Sequence, residues 1–263
     1  METIVVFNQK GGVGKTSTVT NMMAELTRRG KKVLALDLDA QANLTSFCKI
    51  IEPKYTIRDV LAKAVALDSA IISTVSGDIV PSDETLGLEL LRFASDPSFV
   101  LRVRTILEGL SQDRYDFVLI DCPPAVNQVT ASALVSANYV LIPTEMEYFS
   151  AVGVGRIAET IEQIKPFNNG IRVIGVLLVK YNARRTLTKV LEGKMMESTR
   201  ELLGCDVLSA KIRFTVDIPS AQASGLSVHN YNNKSKATAD YCDLIDELLE
   251  KINIKEGVKH HVK

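Results

Sequence analysis

The chain has 263 residues, 46 % hydrophobic and 24 % charged, a globular composition that excludes a disordered, collagen-like or disulfide-dense protein. Lys plus Arg and Asp plus Glu each number 31, so a contact with nucleic acid or membrane has to come from a local patch and not from net charge. At about 150 residues per domain the length would allow two units, but no linker, repeat or low-complexity run marks a boundary, and one domain over 1–263 is expected.

Met1 to Thr3 lead directly into an apolar run, Ile4 to Phe7, too short for a signal peptide, and sequence-specific operator binding by a helix-turn-helix ahead of it is not expected. A Gly-rich loop follows, then a helical pattern from Thr16 to Arg29 with Val19, Met22, Met23 and Leu26 at helical spacing and Gly30 as its stop. The next strand is Val33 to Leu36. Residues 51–112, punctuated by Pro53 and Pro81, predict a short strand at Asp78 to Ser82 and a helix from Phe99 to Leu110. Strands at Phe117 to Ile120, Tyr139 to Ile142 and Val173 to Val179 bracket a helix over Val152 to Ile164. The last helix spans about Ser235 to Ile252, and residues from about 253 to 263 read as a solvated tail. β-branched runs alternating with longer helical patterns predict a doubly wound α/β fold, a mostly parallel sheet flanked by helices. No apolar stretch reaches the roughly 18 residues of a membrane span, and Cys48, Cys122, Cys205 and Cys242 lack the spacing of a metal or redox motif, so a cytoplasmic protein is expected.

Between the first strand and the first helix stands Gln9-Lys10-Gly11-Gly12-Val13-Gly14-Lys15-Thr16. Glycines let backbone N–H groups face phosphate oxygens, the helix N-terminus adds its dipole, Lys15 supplies a cation, and Thr16 can ligate Mg²⁺. The run Gly11, Gly12, Val13, Gly14, Lys15, Thr16, with Ser17 beside it, is thus a candidate triphosphate cradle. It departs from Gly-x4-Gly-Lys-Ser/Thr at position 9, which is Gln. Asp37 and Asp39 follow the second strand, where carboxylates at parallel strand ends face the ligand crevice and one can orient water. Val118 to Ile120 end in Asp121, a candidate Mg²⁺ holder of Walker B type.

Lys-Gly-Gly-Val-Gly-Lys-Thr resembles the deviant Walker A motif of the ParA/MinD family of dimeric ATPases, and Asp37-Leu38-Asp39-Ala40-Gln41-Ala42-Asn43 is similar to its Asp-x-Asp-Pro-Gln-x-Asn, with Ala40 in place of Pro. The resemblance implies a P-loop NTPase fold, ATP and Mg²⁺ as cofactors and a homodimer on ATP binding. It also implies that Lys10 reaches the partner's nucleotide, Asp39 activates water and Asp37 supports the Mg²⁺ shell. Ile142 to Tyr148 resemble the loop after the next strand, with Glu145 where Gln is usual. Tyr181 to Arg185 resemble the adenine-pocket segment and make Asn182 the candidate base contact, and Tyr231 to Lys236 resemble the approach to the last helix. Ile218 to Gly225 are shorter and less basic than the ParA counterpart.

Within the family, the form Asp-x-Asp-x-Gln-x-Asn is closer to ParA than to MinD. A partition ATPase, nucleoid-associated, would bind nonspecific DNA in the ATP state and be reset when a ParB-like partner stimulates hydrolysis. A MinD-like membrane regulator is disfavoured because Asn253 to Lys263 hold no Phe, Trp or Leu, and no membrane partner is expected. A small-molecule ATP-dependent synthetase is the third reading. For DNA, Lys180, Arg184, Arg185, Lys189, Lys194, Arg200, Lys211 and Arg213 outnumber Glu192, Glu197, Glu201 and Asp206 in one segment. Arg184, Arg185 and Arg213 are the leading phosphate contacts, with Arg102 and Arg104 a lesser set.

Overall fold

All five long apolar runs become strands because their side chains are buried on both faces, as a parallel sheet between helical layers requires. The structure, a computed structural model, describes residues 1–111, 113–146, 151–182 and 186–259. Among them one sheet contains β1 (Glu2–Val6), β2 (Val33–Asp37), β3 (Ile72–Thr74), β4 (Gly77–Val80), β5 (Phe117–Asp121), β6 (Tyr139–Glu145), β7 (Arg172–Tyr181) and β8 (Val207–Arg213). Their order is β3-β4-β2-β5-β1-β6-β7-β8, and every ladder is parallel except β3 with β4.

Alternation along each strand feeds two cores. Ile4 and Val6 of β1 face α1 (Lys15–Arg28) and α12 (Lys236–Lys259), where Val19, Met22, Met23, Leu26, Leu244, Ile245, Leu248 and Ile252 are buried. Val5 and Phe7 face the opposite core with α7 (Gln128–Ser136) and α8 (Ala151–Ile164). Each such fully buried side chain contributes about 1.5–3 kcal/mol, which is why the helical stripes dock where they do. The remaining helices are α2 (Asn43–Phe47), α3 (Ile57–Leu61), α4 (Leu67–Ala70), α5 (Thr85–Ala94), α6 (Arg102–Glu108), α9 (Thr186–Leu203), α10 (Asp217–Ala223) and α11 (Val228–Tyr231).

Several elements differ from the expectation. The helix foreseen at Phe99 to Leu110 is a 3-10 turn, Pro97–Leu101, capped by Asp96, followed by α6. The edge strand β3 was hidden because it depends on a hairpin with β4 at Gly77, whose φ of +122° is open to glycine and whose Cβ would stand 3.1 Å from the Val33 carbonyl. β8 and α9 lie in the stretch noted for its charge. α12 continues to Lys259, so the expected tail starts as helix, and 260–263 lie outside the described residues.

The topology decides where chemistry collects. Val6 and Asp37 both pair with Asp121 in parallel register, so the loops leaving β1, β2 and β5 emerge side by side at one sheet edge. A charged staple fixes α1 on α12 beneath them. Glu25, 3 % exposed, accepts from Arg28 Nε at 2.8 Å and Arg29 Nε at 2.7 Å, while Arg29 also engages Asp246 and the Cys242 carbonyl. Burial alone would raise the Glu25 pKa, yet the two guanidinium groups hold it at about 2, below its ordinary 4.5. A depressed carboxylate stabilises the fold above its unfolded pKa and loses that contribution as pH falls. Glu25→Gln should therefore be less stable at neutral pH, by about 1.5–3 kcal/mol for a lost charge-assisted bond. In urea titrations the gap to wild type should narrow as pH drops from 4.5 toward 2; a pH-independent gap would contradict the ionic origin.

Candidate functional site

The loop between β1 and α1 is pinned from below. Asn8 donates from Nδ2 to the Pro143 carbonyl at 2.9 Å and accepts the Lys10 N–H at 3.0 Å. Gln9, standing where the usual motif has Gly, sends Nε2 to Thr160 Oγ1 at 2.9 Å and to the Arg156 carbonyl at 3.2 Å, and so ties the loop to α8. Gly12 and Gly14 turn through φ of +75° and +76°, and Gly14 becomes the N-cap of α1 without a side-chain cap or an acid in the first turn. The uncapped N–H groups and the dipole of this 14-residue helix point at the loop, the arrangement that binds phosphate. Lys15 is only 8 % exposed and donates from Nζ to the Lys10 carbonyl at 2.9 Å, with two further protons for a ligand. Burial lowers its pKa, and the Asp121 charge opposes that shift.

Asp121 and Asp39 lie close enough for their charges to act on this lysine, and Asp37 acts in turn on Asp121. Thr16 Oγ1 donates to Asp121 Oδ2 at 2.7 Å, whereas Asp121 Oδ1 is buried with no hydrogen-bond partner. Burial pushes the Asp121 pKa well up, and the Asp37 charge adds to it. Asp37 is pushed up to about 6, again by burial first, although Thr45 and the Asp39 N–H hydrogen-bond it and pull the other way. An orphaned carboxylate oxygen beside a threonine hydroxyl, in a locus too negative to stay buried alone, fits a divalent cation. Among the described residues no three His, Cys, Asp or Glu side chains form a closed metal cage. The Asp121 carboxylate and the Thr16 hydroxyl are hard oxygen donors of the kind that would suit Mg²⁺, which takes one or two protein oxygens beside water and phosphate. Asp39, two residues after Asp37, receives the Gln41 N–H on Oδ1 at 3.0 Å.

A cavity of about 530 Å³ opens over the loop, large enough for a nucleotide. Gly11, Gly12, Gly14, Lys15, Thr16, Ser17 and Asp39 line it as expected. Val13 is buried beneath the loop. The sequence reading missed the far wall, made by Lys180, Phe214, Thr215, Ile218, Pro219 and Gln222. Phe214 exposes its ring there, and Gln222 accepts from Ser17 Oγ at 3.3 Å. Phe214-Thr215 directly follow β8, so recognising that strand would have found them. Asn182 sits just beyond β7, exposed, and is not among the residues around the cavity. Lys10 is exposed and lines a second cavity of about 300 Å³ with Gln9, Thr144 and Arg156.

The basic segment is less free than its composition suggested. Lys180 Nζ donates to Glu145 Oε1 at 2.6 Å and to the Gly12 carbonyl at 3.2 Å, so the Glu that replaces the family's Gln has a cation of its own. Arg200 pairs with Asp206 at 2.7 Å, and Lys211 pairs with Glu192 over the Tyr181 ring. Arg213 lines the nucleotide cavity with Nε held by Asp240 at 2.8 Å, leaving the outer part of its guanidinium exposed. Arg184 and Arg185 lie outside the described residues. Arg102 donates to Asp96 and the Leu61 carbonyl, and Arg104 to the carbonyls of Phe167 and Val135.

A family model described as "AAA domain" matches residues 1–173. The chromosome partitioning protein ParA of Caulobacter vibrioides is 30 % identical over 257 residues, covering 95 % of both chains. The sporulation initiation inhibitor protein Soj of Bacillus subtilis is 31 % identical over 250 residues, covering 93 % of this chain and 97 % of its own. A Mycobacterium smegmatis structure described as cobyrinic acid a,c-diamide synthase, with bound ATP analogue and magnesium, superposes with a TM-score of 0.82 at 28 % identity, covering 95 % of this chain and 94 % of that one. ATP and Mg²⁺ are accordingly the cofactors of this site. Asp121→Asn removes a charge that burial disfavours, so the nucleotide-free protein should melt no lower than wild type. The Tm gain from Mg²⁺ added to ADP, equivalent to about 2.7 kcal/mol at 100-fold excess over Kd, should vanish; a retained gain in thermal-shift assays would separate Asp121 from the cation. The chain belongs to the ParA/MinD family of ATPases.

Proposed function

We propose that this chain is an ATP-driven dimer switch that holds nonspecific DNA in its ATP state and partitions or positions a DNA cargo, released when a ParB-like partner stimulates hydrolysis. The observation that carries the reading is Lys10. Its carbonyl holds Lys15, but its side chain is exposed and is not part of the cavity wall around its own nucleotide site. A cation placed beside the phosphate loop yet turned out of the pocket is suited to a nucleotide bound by a second copy, where it would stabilise developing charge as an arginine finger does.

Within one protomer, the N–H groups of Gly11 to Thr16 would hold the phosphates and Lys15 their outer oxygens. Thr16 and Asp121 would hold Mg²⁺, with Asp37 behind them. The cation supplies charge neutralisation across the phosphate chain when bound. Asp39 would orient the attacking water from the cavity rim, and Phe214 offers an apolar face for the base. For DNA, the support is the chromosome partitioning role named for the Caulobacter relative and the excess of cations between Lys180 and Arg213, Arg184 and Arg185 included, with the outer face of Arg213 at the end of β8. Among the described residues no helix is long and apolar enough to cross a membrane.

The synthase described for the Mycobacterium smegmatis neighbour favours a second reading, ATP-dependent activation of a small molecule. The two differ in what ATP controls. Asp39→Ala should bind ATP and hydrolyse it poorly, and this variant should bind duplex DNA with ATP·Mg²⁺ but not with ADP, weakening steeply across a salt series. Absence of binding in both states would overturn the DNA reading. Lys10→Ala should bind ATP yet stay monomeric in light scattering; an ATP-induced dimer of normal size would overturn the trans role.

A further inference from the structure

We infer that Thr45 is a positioning residue for the Mg²⁺-dependent step, its hydroxyl fixing the Asp37 carboxylate at the cation site and tying that carboxylate to the start of α5. The inference rests on the assignment of Asp37 to the Mg²⁺ shell and adds a residue that no motif names.

Thr45 is 4 % exposed and makes three bonds of the site. Its hydroxyl donates to Asp37 Oδ2 at 2.7 Å, its backbone N–H donates to the same oxygen at 2.9 Å, and its Oγ1 accepts the Ser82 N–H at 2.8 Å. The single hydroxyl proton is committed to the carboxylate, so the oxygen lone pairs are what hold Ser82. On the other side, Asp37 Oδ1 accepts the Asp39 N–H at 3.2 Å. The carboxylate is therefore gripped at both oxygens by the two ends of the loop that carries Asp39, and it cannot rotate about its Cβ–Cγ bond without giving up these bonds.

The loop under this grip is strained. Ala42 adopts φ of +50°, a left-handed conformation that a residue with a Cβ keeps only when its surroundings over-determine it. On the far side Ser82 stands between β4 and α5, two residues after Val80. α5 also runs close to the loop, near enough that a Cβ added at Gly87 would meet the Cβ of Ala40 at 3.7 Å. Displacement of the Asp37 carboxylate toward or away from Asp121 would thus be passed through Thr45 to Ser82 and the first turn of α5 and not be absorbed by a side-chain rotation. α5 carries Leu88 and Leu91 at 81 % and 85 % exposure, so the element tied to the cation site is one that presents apolar surface.

The test uses the full chain with Thr45→Val, which keeps the shape and loses the hydroxyl, and Thr45→Ser, which keeps the hydroxyl. Thr45→Val should raise the Mg²⁺ concentration for half-maximal ATP hydrolysis by about tenfold or more, the usual effect of losing a residue that orients a metal ligand. Binding of a fluorescent ATP analogue without Mg²⁺ should be unchanged, and Thr45→Ser should restore the wild-type Mg²⁺ response. A wild-type response in Thr45→Val, or equal impairment in Thr45→Ser, overturns the inference. Hydrogen exchange on the unmodified chain decides the case even where Thr45→Val does not fold. Mg²⁺ added to the ATP-analogue complex should slow exchange at Thr45, Ser82 and residues 85–94 together, and slowing confined to residues 38–45 overturns the link to α5. A wild-type chain with no Mg²⁺ response in either assay overturns the cation-site assignment as well.

Discussion

Two buried carboxylates, Asp37 and Asp121, face one another in parallel register on β2 and β5, and the site is organised around their repulsion. Among the described residues neither is hydrogen-bonded by an arginine. Lys15 lies close enough to be felt by Asp121, but its one hydrogen bond goes to a main-chain carbonyl of the phosphate loop. Burying two like charges without a full set of partners is unfavourable, which is why both pKa values sit above the ordinary carboxylate range. A divalent cation beside these carboxylates would supply the opposite charge that they lack.

The sheet makes that confrontation unavoidable. β1, β2 and β5 are consecutive in space though far apart in sequence, and parallel pairing delivers their C-terminal ends to one edge. Burial on both faces locks the register, because a slip by one residue would turn Ile4 and Val6 away from α1 and toward the opposite core. The hydrophobic layers therefore set the spacing of the acids. What remains adjustable is the Asp39 loop, which carries the left-handed Ala42 and is held by hydrogen bonds to Asp37 and not by apolar packing alone.

Surface charge shows the same dependence on three dimensions. Counted along the chain, Lys180 to Arg213 is a basic segment, yet Glu145 reaches Lys180 from β6 and Asp240 reaches Arg213 from α12. Both acids lie outside the stretch that was counted. The field that a DNA backbone would meet is thus narrower than the composition implies and depends on those cations of the segment that have no acid brought to them by the fold. Arg102 and Arg104 behave alike, the first donating to Asp96 and the Leu61 carbonyl and the second to the carbonyls of Phe167 and Val135.

The phosphate loop, the strand ends with Asp37, Asp39 and Asp121, the alternation of strands and helices, and the ATP and Mg²⁺ that go with them were determined by the sequence alone. Each of these is local: a strand, a turn and a helix start lie within a dozen residues, and the glycines, lysine and acids act at fixed offsets along them. Tertiary structure alone decided the far wall of the cavity at Phe214 to Gln222, the pairing of Lys180 with Glu145, the removal of Asn182 from the cavity lining and the bond from Ser82 to Thr45. These contacts join residues separated by tens to hundreds of positions. Their partners are chosen by sheet order and helix docking, which emerge from burial over the whole chain and leave no mark at either residue.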